Sequence, residues 1–168
     1  MPKNSKRGGE IYNVPVGWIS FVIEILNKYG KNDWLSCEGK EGEWALTYHG
    51  FGGPLDSPNV KQLIKTIVHN NLKPGSDSHQ GYKNVRHKRQ ICGNWIYITT
   101  NNQIAQRYAG FISLGNKTYN IIIMVRVNPK FIREPENIKD FWIVDGNDDQ
   151  FRPYRFLIKE NPNRNLFH

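Results

Sequence analysis

The longest uninterrupted apolar run in the chain is five residues, Ile121-Ile122-Ile123-Met124-Val125. A bilayer-spanning helix needs about 20 such residues, so no membrane span is expected. The run lies inside a strand expected over residues 118–127. The other apolar segments are equally short. Residues 44–49 and 95–99 read as strands. Residues 111–114 and 118–127 read as a hairpin around Gly115-Asn116, and residues 141–144 and 154–159 as a second hairpin around 145–150. Three segments read as helices. In residues 16–28, Trp18, Ile19, Val22, Ile25 and Leu26 recur at helical spacing behind Pro15. In residues 57–72, Ser57 suits an N-cap, Pro58 suits the first turn, and Val60, Leu63, Ile64, Ile67, Val68 and Leu72 form one stripe ahead of Pro74-Gly75. Residues 101–109 give a shorter one. Strands outnumber helices and do not alternate with them, which indicates an α+β fold with mostly antiparallel sheets.

The 168 residues suffice for one domain. Residues 1–10, polar, basic and glycine-rich, read as a flexible arm, and residues 11–168 as a single domain. The formal net charge of +8 favours polyanionic partners. Cys37 and Cys92 make neither a disulfide framework nor a zinc spacing, and the five histidines fall at no metal-ligand spacing, so no metal is expected. Dinucleotide-binding glycine fingerprints, phosphate-binding loops and nucleophile elbows are absent from the sequence. No apolar signal core follows the first residues, so an intracellular protein of the cytoplasm or nucleus is expected, as a monomer.

Three segments, in order, carry a resemblance. The first is Tyr48-His49-Gly50 at a strand end. The second is Gly93-Asn94-Trp95-Ile96-Tyr97-Ile98-Thr99, followed by Ala105-Gln106-Arg107-Tyr108. The third is Asp140-Phe141-Trp142-Ile143-Val144-Asp145, ahead of a closing strand, Arg152-Pro153-Tyr154-Arg155-Phe156-Leu157-Ile158-Lys159. Together they resemble the catalytic core of poly(ADP-ribose) polymerase-like ADP-ribosyltransferases, across roughly residues 44–160. The resemblance implies split antiparallel sheets flanked by a few helices, with a cleft for NAD, the co-substrate, between the sheets. It implies that His49 holds the adenosine ribose, that the Gly50 backbone grips the nicotinamide carboxamide, and that Tyr97 and Tyr108 sandwich the nicotinamide ring. Those tyrosines stand eleven residues apart, as the family's two do, and such a spacing lets two rings hold a flat heteroaromatic.

The chain departs from the family at four places. Phe51 follows His-Gly where Thr or Ser is usual, Ala105 replaces a carboxamide-binding serine, and Trp95 replaces a glycine. The third catalytic position is Asp140 rather than Glu. A one-residue shift would put Phe141 there, and Gln150 is the other polar candidate. An Asp is shorter than a Glu by one C–C bond, about 1.5 Å, and a 1 Å misplacement can cost about a hundredfold in rate. The expectation is therefore slow mono-ADP-ribosylation of a protein or nucleic-acid acceptor, with nicotinamide released. Two alternatives stand beside it: a silent NAD or ADP-ribose binding module, and an RNA enzyme of the tRNA 2′-phosphotransferase type. The basic run Lys83-Asn84-Val85-Arg86-His87-Lys88-Arg89 lies where the family has its loop over NAD, and could grip pyrophosphate or a nucleic acid.

Overall fold

A computed structural model describes residues 4–25, 28–50, 57–72, 86–87, 90–91, 95–136 and 138–162. Its spine is the strand that holds the apolar run. Lys117–Val127 is eleven residues long, enough for two shorter strands to share one of its edges. In chain order the strands are β1 (Asn4–Arg7), β2 (Glu10–Asn13), β3 (Ile19–Val22), β4 (Ala45–Gly50), β5 (Arg86–His87), β6 (Gln90–Ile91), β7 (Ile96–Ile98), β8 (Gly110–Leu114), β9 (Lys117–Val127), β10 (Trp142–Val144) and β11 (Phe151–Glu160). On one edge of β9, β4 pairs with residues 122–127 and β8 with residues 117–121. On the other edge β11 runs antiparallel along residues 119–127. Hemmed in on both edges, Ile121, Ile122, Ile123 and Val125 are almost wholly buried. A register shift between Pro153 and Arg155 interrupts the β9–β11 ladder, beside the one residue type that has no N–H to donate.

A second, smaller sheet pairs β7 with β10, Ile98 opposite Trp142 and Tyr97 opposite Ile143. It is tied to the main sheet by a bridge in which Tyr48 N donates to Thr99 O at 2.7 Å and Thr99 N returns a bond to Tyr48 O at 3.0 Å. Among the described residues two α-helices accompany these sheets: α1 (Ser57–Asn70) and α2 (Asn102–Arg107). On α1 Ile67 is buried, with Ile64 and Val68 half-buried beside it. The helix ends two residues earlier than its stripe implies. Asn71 takes a positive φ of 64°, and its amide donates to Phe151 O at 2.7 Å and Asp148 Oδ1 at 2.8 Å. Asn101 caps α2 by accepting from Gln103 N. The α+β character and the mostly antiparallel pairing expected from the sequence are present.

Three local expectations are corrected. Of the helix expected over residues 16–28, residues 16–25 are not helical: Gly17 turns at φ +80° and β3 pairs with β11, Val22 opposite Arg155 and Ile19 opposite Ile158. The long β11 leaves one edge open beyond β9, and β-branched Ile19 and Val22 suit that edge better than a helix interior. Residues 141–144 and 154–159 are not hairpin partners, because both edges of β11 are taken by β9 and β3; β10 goes to β7 instead. The basic N-terminal arm is, from Asn4, one side of a hairpin. Gly8 and Gly9 supply the two positive φ values of its turn, and a Cβ on Gly8 would lie 2.3 Å from Ala45 N.

Candidate functional site

The site is built where β4 ends. Tyr48 is fully buried, and its hydroxyl donates to Asn13 O at 2.6 Å, which anchors the strand end to the hairpin behind it. Burial, with Tyr154 and Tyr12 adding to it, pushes the Tyr48 phenol far above its ordinary range, so it stays a neutral donor. The next side chain along, on the opposite face of the strand, is His49, half-buried. Its Nδ1 lies 2.8 Å from the Tyr97 carbonyl oxygen. A carbonyl can only accept, so Nδ1 carries the proton, and a neutral ring then presents Nε2 as an acceptor. The Tyr48–Thr99 bridge holds β4 and β7 in the register that makes this contact.

Gly50 passes directly over the last turn of α2. A Cβ there would meet Ala105 O at 2.3 Å and the Tyr108 carbonyl carbon at 2.8 Å, so close approach of backbone to backbone demands glycine. Ala105 is itself buried and takes part through its carbonyl. Tyr108 closes the helix, its N–H donating to Ala105 O and Gln106 O. The structure therefore brings His49, Gly50, Tyr97, Ala105 and Tyr108 into one cluster, from β4, β7 and α2.

The third motif arrives differently. Asp140 sits on an exposed turn with φ +68°, just before β10. The ring that reaches the cluster is that of Phe141, edge-on to Tyr108 at 5.4 Å between centroids. Gln150 is buried and turned toward Asp145: it donates to Asp145 Oδ2 at 3.3 Å and accepts from Asp145 N at 3.2 Å. Asp145 also takes a two-pronged bond from Arg133, 3.0 Å on each side, and that guanidinium lies 5.0 Å over the Trp95 ring. Arg133, which stands in none of the three motifs, frames the second sheet together with Trp95. The signal that was available is Asp145 at the end of the third motif, a carboxylate that wants a cation. Of the basic run, Arg86–His87 pairs with Gln90–Ile91, and residues 83–85 and 88–89 lie outside the described residues.

Among the described residues no helix is long and apolar enough to cross a membrane. No protein-family model matches the chain, and no curated protein matches it.

Proposed function

We propose that the chain binds NAD at the β4–β7–α2 junction and transfers ADP-ribose from it to a protein or nucleic-acid acceptor. The supporting observation is the junction itself: a His-Gly strand end whose imidazole is fixed on the Tyr97 carbonyl and whose glycine lies on the turn bearing Tyr108. In this reading NAD lies between the two sheets, His49 Nε2 accepts from a ribose hydroxyl, and Tyr97 and Tyr108 stack on nicotinamide. The bond between nicotinamide N1 and ribose C1′ breaks, neutral nicotinamide leaves with the electron pair, and an acceptor oxygen or nitrogen takes C1′ as it loses its proton. The developing charge resembles that of glycoside hydrolysis, so a carboxylate near C1′ assists, and Asp140 is assigned that role.

A second reading is favoured by one observation. Phe141, not a carboxylate, meets Tyr108, while Asp140 is exposed on its turn. That suits a module that binds NAD or ADP-ribose without cleaving it. Nicotinamide release separates the two when measured for the wild type, Tyr97→Ala and Asp140→Ala. Transfer requires release that both substitutions abolish. Calorimetric NAD binding that Tyr97→Ala removes, with no release, leaves the binding module. Neither release nor binding refutes both readings.

A further inference from the structure

A cavity of about 910 Å³ opens on the face of the main sheet that carries Leu46, Met124 and Leu157. That is within the range of small-molecule sites, roughly 300–1,000 Å³. Strand alternation puts His49 on the opposite face of β4 from Leu46. None of His49, Gly50, Tyr97, Ala105, Tyr108 or Asp140 lines the cavity.

Its walls are mostly apolar, with Ile23, Ile25 and Leu35 joining the sheet residues and Trp18 at one side. Its charges are lopsided: Arg7, Arg126 and Arg155 line it against a single carboxylate, Glu24. Two of these cations are already matched, since Arg126 and Arg7 share the buried Glu43, each at 3.7 Å. Arg155 is different. It donates to Ser20 Oγ at 3.3 Å and makes no ion pair among the described residues. Its guanidinium lies 5.6 Å from the ring centre of Tyr154, which also carries Arg126 at 5.7 Å. Tyr154 is 8% exposed, and the acceptor its hydroxyl reaches is a thioether, Met124 Sδ at 4.0 Å. A buried phenol held on so weak an acceptor, next to an unmatched guanidinium, is a place where an oxygen anion gains two donors at once.

We propose that this cavity binds an amphiphilic anion, its apolar body against Ile23, Leu46 and Met124 and its carboxylate or phosphate head at Arg155 beside Tyr154. A cationic amphiphile meets three guanidinium groups there. A neutral one gains the apolar wall and leaves Arg155 unanswered.

Cys37 lines the same cavity and is exposed, which provides a reporter. The full chain carrying Cys92→Ser is titrated with dodecanoate, dodecyl phosphate and dodecanol, each below its aggregation concentration. Binding is read by calorimetry and by the rate of Cys37 alkylation with iodoacetamide. The expected result is tight binding of one or both anions, Cys37 alkylation slowed at least fivefold at saturation, and dodecanol at least tenfold weaker. The tighter anion then identifies the head group. Arg155→Glu, with its circular dichroism unchanged, weakens the anion at least tenfold. Should the glutamate variant not fold, Arg155→Gln weakens it at least threefold. Absence of anion binding, equal binding of dodecanol, unaltered Cys37 alkylation or an Arg155 variant that binds as the wild type each overturns the proposal.

Discussion

β4 meets polar chemistry at both ends and handles it in opposite ways. At its start the chain buries a full charge. Arg126, opposite Leu46, is 3% exposed, donates to Trp44 O at 2.6 Å and to the carbonyls of Leu35 and Ser36 at 3.4 Å, and faces Glu43, itself 7% exposed. Glu43 Oε2 accepts from Gly39 N at 2.7 Å. At its end the strand presents an imidazole that is half-buried, with one ring nitrogen fixed on a carbonyl. The first arrangement turns its hydrogen bonds inward and pins the residue 33–45 segment to the sheet, while Arg126 Nε and Glu43 Oε1 are buried with no hydrogen-bond partner among the described residues. The second fixes the orientation of the ring on the Tyr97 carbonyl. The buried ion pair and the half-buried imidazole thus lie at opposite ends of one six-residue strand.

The sharpest way to break this contrast is to remove the buried cation. Arg126→Met leaves Glu43 buried, with Arg7 at 3.7 Å as its remaining counter-charge. Breaking a buried pair from one side costs about 3–5 kcal/mol. Urea unfolding should show that loss, and Arg126→Met combined with Glu43→Gln should recover much of it. A loss under about 1 kcal/mol would mean that the pair is no better than a surface one.

The tyrosine under Arg126 also dictates an alkaline limit. Burial, with a smaller push from Tyr12, raises the Tyr154 phenol from the ordinary 10 to about 12, although Arg126, Arg155 and Arg7 pull the other way. The folded state therefore holds a proton that the unfolded chain releases first. The stability this contributes is complete below pH 10 and is lost as the pH rises from 10 toward 12. At 1.36 kcal/mol per unit the loss is about 2–3 kcal/mol. Tyr29 is likewise raised to about 12 and Tyr48 is raised further, both chiefly by burial, so Tyr154→Phe should make the pH dependence shallower without abolishing it. Denaturant midpoints at pH 9, 10 and 11 for both proteins check this. Equal slopes would refute a buried, proton-holding Tyr154.

The contrast was unevenly visible in the sequence. The Ile121–Val125 run announced a buried strand, and the Gly115-Asn116 turn placed the β8–β9 hairpin, because these signals are local. The His49–Tyr97–Tyr108 grouping was legible only through the resemblance of three ordered motifs, with His49 near the end of β4, Tyr97 in the middle of β7 and Tyr108 closing α2. What was hidden depends on which edges were free. A helical period in residues 16–28 gave no hint that β11 has a vacant edge for Ile19–Val22. Nothing local says that β10, six residues before β11, joins β7 and so puts Phe141 rather than an acid against Tyr108. The Arg126–Glu43 pair spans 83 positions, beyond any local pattern.

The smallest expected change in stability is the most informative about function. His49 is half-buried, and its side-chain bond to Tyr97 O links it to an uncharged acceptor, worth about 0.5–1.5 kcal/mol net. His49→Ala should therefore lower stability by about that much, well short of Arg126→Met, since it leaves no buried charge behind. If the end of β4 is the ligand-binding end, the same substitution should weaken NAD binding at least tenfold. Arg126→Met, assayed under conditions where it is folded, should bind NAD within about threefold of the wild type. Paired urea and calorimetric titrations of the two variants test both halves of the contrast. The reverse pattern, stability lost at His49 and binding lost at Arg126, would move the ligand to the other end of the strand.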